Sequence, residues 1–134
     1  MTEQQLKRYS ALKAEVDSLK ESIQRLESEL SSAKIPAPSG FPPGGVRRLM
    51  SDNVIKLESL KEKYARLLNK RIIECRTIED AINQLVDPRH RNILRLKYIE
   101  GLKMEVICVK IGYEWAQTNR LHKEALEKLK NDTQ

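Results

Sequence analysis

The chain has 134 residues, 40% apolar, 33% charged and only 4% aromatic, with a formal net charge of +6. That length allows one domain, or a small domain with a helical extension. The thin aromatic supply argues against a sheet protein, and the recurring Leu, Lys, Glu, Ile and Arg are a helical vocabulary. No apolar run approaches the ~20 residues a membrane span needs. The N-terminus, MTEQQLKRYS, lacks the apolar core of a secretory signal. Cys75 and Cys108 make neither a disulfide framework nor a metal pattern. The expectation is an all-α, metal-free protein of the cytoplasm.

Apolar residues at Tyr9, Leu12, Val16, Leu19, Ile23, Leu26 and Leu30 alternate spacings of three and four. This strict heptad predicts a long helix with one narrow stripe, which wants a partner helix rather than a globular core. Residues 34–50, KIPAPSGFPPGGVRRLM, interrupt it. Four prolines fix φ and remove donors, so the segment reads as a mobile Pro/Gly-rich loop. Ser51 or Asp52 then caps a second helix, with the stripe Val54, Leu57, Leu60, Tyr64 and Leu67. Beyond Leu67 the phase slips to Leu68, Ile72, Cys75, Ile78, Ile82 and Leu85. A slipped stripe implies a change of partner, and Thr77 is a candidate cap for a new helix. The predicted organisation is a coiled-coil hairpin over residues 1–76 and a C-terminal domain over 77–134.

In that second part Asp87-Pro88 restarts the chain, Asp as cap and Pro at the first helical position. The helix PRHRNILRLKYI turns Ile93, Leu94, Leu96 or Lys97, and Tyr98 inward, and Glu100-Gly101 ends it. Residues 103–111 form a short helix with Val106, Ile107 and Ile111 inward, stopped by Gly112. A final helix from about 115 buries Thr118, Leu121, Ala125 and Leu129.

Charge is concentrated in this part. Residues 1–34 are neutral, whereas residues 88–131 hold ten basic and five acidic side chains. A short helix, a glycine turn and a basic helix describe a helix-turn-helix. Opposite the apolar face of the last helix lie Ala116, Arg120 and Lys123, flanked by Gln117 and Asn119. Asn, Gln, Arg and Lys hydrogen-bond base edges in the major groove. Arg89, His90, Arg91, Arg95, Lys97 and Lys103 supply charge for phosphates. His90 and His122 have no ligand set and read as surface or phosphate-facing groups, and Cys75 and Cys108 as core. No Gly-rich phosphate loop, catalytic triad or paired-carboxylate site appears, so neither an enzyme nor a cofactor is expected.

Residues 78–130 resemble region 4 of bacterial sigma factors. The matching pieces are a helix ending in QL, a loop with Pro88, the run ILRLKYIEGL, an I-C-x-x-I-G turn, and a basic helix ending EALEKL. With the long helices and the Pro/Gly loop before it, the whole chain is similar to phage-encoded, region-4-like regulators related to the RinA and ArpU late-gene activators. The resemblance implies base contacts at Trp115, Ala116, Asn119 and Arg120. Trp115 stands where that family usually has a basic or polar residue, near the core side of the wheel. Glu114 stands where Ser or Thr usually caps. The implied function is sequence-specific transcription regulation on double-stranded DNA in a bacterial host cell. The long helices would dimerise or contact RNA polymerase. Two other readings compete: a DNA-packaging protein of the small-terminase kind, which assembles into rings, and a coiled-coil interaction protein with no DNA role.

Overall fold

The computed structural model describes residues 1–33 and 45–132, apart from the side chains of 33, 45–51 and 132. The expected loop core, 34–44, lies outside the described residues. The fold is all-α, in the order α1 (Glu3–Ala33), α2 (Gly45–Asn83), α3 (Pro88–Leu94), α4 (Met104–Ile111) and α5 (Trp115–Asp132). One π-helical turn, Arg95–Ile99, continues α3.

α1 opens on a reciprocal cap. The Thr2 N–H donates to Gln5 Oε1 at 2.9 Å, and the Gln5 N–H returns to Thr2 Oγ1 at 3.4 Å. α2 begins at Gly45, ahead of the predicted cap at Ser51 or Asp52. Pro43 is the last proline before it, and GVRRLM after it contains no further breaker. α2 then runs unbroken past Thr77, whose hydroxyl donates back to the Ile73 carbonyl at 2.9 Å instead of capping a new helix.

Contacts divide the chain into two units, Met1–Ala14 with Ile72–Gln134, and Glu15–Arg71. The first fourteen residues, assigned by the sequence to the hairpin, thus pack with the C-terminal helices. The unit Glu15–Arg71 is an intramolecular antiparallel pair. Arg71 Nε meets Glu15 Oε1 at 3.0 Å, and Lys61 Nζ meets Glu27 Oε1 at 3.2 Å, so α1 ascends as α2 descends. Val16, Leu26 and Leu30 are buried, while Leu19 and Ile23 of the same stripe are half-buried. On α2, Val54, Leu57, Tyr64 and Leu67 are half-buried, and Ile55 and Leu60 are exposed.

This gradient sets an expectation. Val16→Asp places an unpaired charge in a buried site and should cost about 3 kcal/mol or more. Ile23→Asp, half-open to water, should cost clearly less. Thermal melts compare the two variants. Equal losses would mean that Ile23 is covered by a second chain in solution.

In the other unit, Tyr9 donates its hydroxyl to Glu79, tying the start of α1 to the end of α2. Leu6, Leu12, Ile78, Ile82 and Leu85 are buried there. Asp87 caps α3 with its carboxylate on the Arg89 N–H at 2.9 Å, and Pro88 follows at the first helical position. α3 and α4 both pack on α5. Ile93, Ile107 and Leu121 form the centre, with Leu96, Leu102, Met104, Ile111 and Tyr113 against it. Thr118, Ala125 and Leu129 are also buried, as the wheel predicted. Val106 is not. It is 43% exposed, and Ile107 alone on α4 is fully buried.

Candidate nucleic-acid interface

α4 and α5 meet at Gly112, which holds φ at 75° and returns its N–H to the Cys108 carbonyl at 3.0 Å. A side chain at this left-handed φ would be strained, so glycine suits the turn. The geometry is a short helix, a left-handed glycine, two further residues and an eighteen-residue helix. The Thr118 N–H bonds to the Glu114 carbonyl at 2.9 Å and starts α5.

The outer face of α5 carries Trp115, Ala116, Arg120 and Lys123, all exposed. Trp115 is 54% exposed and not on the core side as the wheel suggested. It is the first residue of its helix, and helical side chains lean toward the N-terminus, which carries this ring past the end of α5. Gln117 and Asn119 are half-buried, and Asn119 Nδ2 donates to the Trp115 carbonyl at 2.9 Å. Arg120 reaches Glu124 only at 3.9 Å, with both side chains largely in water, a pairing of little energetic weight.

The expected phosphate contacts divide. Lys103, just before α4, is exposed. Arg89 is exposed but forks onto its own cap, with Nη2 to Asp87 Oδ2 at 3.0 Å. The Arg89 guanidinium and backbone N–H together hold the Asp87 carboxyl down to about 2. Arg95 is exposed and donates to Asn83. Lys97 is half-buried, its ammonium 5.8 Å from the Tyr98 ring centroid. Arg91 is half-buried and donates to the Leu85 and Val86 carbonyls at 2.6 and 3.2 Å, holding the connection between α2 and α3. His90 leaves the set. It is buried, with Nε2 3.4 Å from Glu124 Oε2 and 3.8 Å from Asp87 Oδ2. Lys110, in the last turn of α4, is an exposed cation that the sequence reading passed over. Its signal was the basic residue directly before the glycine turn.

His122 is buried as well, contrary to its reading as a surface group. Its ring stacks on Tyr98, with centroids 5.8 Å apart. The Tyr98 hydroxyl lies 2.8 Å from His122 Nε2 and donates to Glu3 Oε1 at 3.2 Å. A hydroxyl has one proton to give, so the imidazole donates through its own Nε2–H. The relay ties α5 to the start of α1. Burial, then the nearby Lys97, pushes His122 down to about 4. Cys75 is buried, its thiol pushed up chiefly by that burial, while Cys108 is only half-buried. Among the described residues no group of His, Cys, Asp or Glu could hold a metal ion, and no helix is long and apolar enough to cross a membrane.

Residues 29–130 match the model of a family described as "Protein of unknown function (DUF1492)". The chain belongs to the DUF1492 family. The DUF1492 match takes in α2 and every helix of the α3–α5 cluster. No curated protein and no solved structure matches the chain.

Arg91 supplies a further expectation. Arg91→Ala leaves the part-buried Leu85 carbonyl, between α2 and α3, without its charged donor and should destabilise the fold by about 1–3 kcal/mol. Chemical denaturation measures it. Unchanged stability would return Arg91 to the set of phosphate contacts.

Proposed function

We propose that this chain is a sequence-specific transcription regulator that docks α5 in the major groove of double-stranded DNA. The observation that carries this reading is the α4–Gly112–α5 turn, with Arg120 and Lys123 exposed on the outer face of its second helix. Lys103 and Lys110 add exposed charge on α4 and its approach. Late residues of the chain are its most basic, and phosphate neutralisation supplies much of the affinity of such proteins. The resemblance to phage late-gene activators supports an origin in a phage or prophage, action in the bacterial cytoplasm and a contact with RNA polymerase. The exposed Ile55 and Leu60 on α2 support a homodimer through the long helices. This reading needs no catalytic group and no cofactor.

The test is selection of bound duplexes from a random pool, then titration of the selected and a scrambled duplex at two salt concentrations. Arg120→Ala should cost about 1–3 kcal/mol on the selected duplex and relax preference at one position. Lys103→Ala should weaken both duplexes alike and lower the salt slope by about one unit. Losses that track total charge alone would remove the recognition-helix assignment. Sedimentation gives the copy number: one or two favours regulation, and a ring of eight or more favours a packaging protein.

A further inference from the structure

We propose that the first turn of α5 reads the C5-methyl group of thymine through Trp115 and Ala116. The inference rests on the DNA-binding reading and names what that surface recognises. Recognition helices meet base edges with their N-terminal residues. Here that turn has few hydrogen-bonding groups left to offer. Thr118 is buried, and its hydroxyl donates to the Glu114 carbonyl at 2.9 Å. Gln117 is half-buried, and Asn119 gives one of its amide hydrogens to the Trp115 carbonyl. What the turn exposes is an indole ring and a methyl group.

A methyl group and a ring face cannot read a donor–acceptor pattern. The apolar feature of the major groove is the thymine methyl, and burying it favours A·T pairs at that position. Arg120 and Lys123 lie further along the same helix, and Lys110 lies in the last turn of the helix before it. An apolar protein groove would have to bury two small apolar contacts beside three cations. A DNA groove accepts both, since the cations meet phosphates or guanine while the ring covers the methyl.

The full chain is first used to select duplexes from a random pool. The best duplex is then remade with deoxyuridine replacing one thymine at a time, which removes only the methyl. One or two of these swaps should weaken binding about four-fold each, the loss for one buried methyl. Trp115→Ala should bind the parent duplex more weakly and become indifferent to at least one of the same swaps. Trp115→Phe, which keeps the apolar plate and drops the indole N–H, should retain the dependence. Circular dichroism checks that both variants fold; if Trp115→Ala does not, the uracil series on the unaltered chain decides alone. Selective binding that no uracil swap weakens overturns the methyl reading and leaves DNA binding standing. Failure to enrich any sequence overturns sequence-specific recognition, and the methyl reading with it.

Discussion

Leu121→Ala is expected to lower the unfolding free energy by about 3 kcal/mol, within the range for deleting a leucine from a closed core. Leu121 is 1% exposed and meets Ile93 of α3 and Ile107 of α4, so one side chain joins three helices. A cavity at that point cannot be filled by one helix moving without loosening the other two. The loss is a large fraction of an ordinary domain's stability, which is about 5–15 kcal/mol. Urea denaturation should show a lower midpoint with an unchanged slope. On the proposed DNA-binding reading, affinity for DNA should fall in parallel as temperature rises, because α5 is held in place by the same contacts. Thr118→Val on the same buried face should cost less, about 1 kcal/mol. It removes a hydroxyl bonded to the Glu114 carbonyl but leaves no void. If Leu121→Ala costs no more than Thr118→Val, the three-helix core is not what fixes α5.

The same core shows what the sequence could convey. Leu121, Ala125 and Leu129 were legible because an eighteen-residue helix repeats its period often enough to set a phase. α4 has eight residues, and over two turns the period does not separate Val106 from Ile107. Asp87, Pro88 and Gly112 were legible because each acts through local backbone geometry. The continuity of α2 was not. Its stripe slips near Ile72, where α2 passes from the unit Glu15–Arg71 into the other unit, and a change of surroundings looks in sequence like a break. The histidines show the clearest limit. His122 meets a tyrosine 24 residues away, and His90 a glutamate 34 residues away. No spacing within one helix encodes either pair. The same period places Arg120 and Lys123 on the exposed face of α5. Trp115 was displaced from its wheel position by standing at the helix end, where the wheel does not describe what covers a side chain.

The second large effect is expected in acid. His122 is buried against Tyr98, with Lys97, Glu3 and Lys7 acting on it electrostatically. Desolvation disfavours the imidazolium, and the Lys97 and Lys7 ammoniums add to that, while the Glu3 carboxylate opposes it. The net result is a group at about 4 in the folded chain against 6.5 ordinarily. The unfolded chain therefore takes up the proton first as pH falls. The contribution is whole above pH 6.5 and is lost progressively as pH drops through about 4, with a full size on the order of 3 kcal/mol. Asp87 does not share this window, because its carboxyl, held at about 2, loses its partnership only in stronger acid. His122→Gln keeps a donor for the Tyr98 hydroxyl and cannot titrate. Its stability should therefore fall less between pH 7 and pH 4 than that of the unaltered chain. Denaturation curves at four pH values give both slopes. Parallel slopes would mean that other groups carry the acid sensitivity. A steeper slope only in the unaltered chain, matched by release of the Tyr98 ring in near-ultraviolet dichroism, ties it to the contact joining α5 to the first turn of α1.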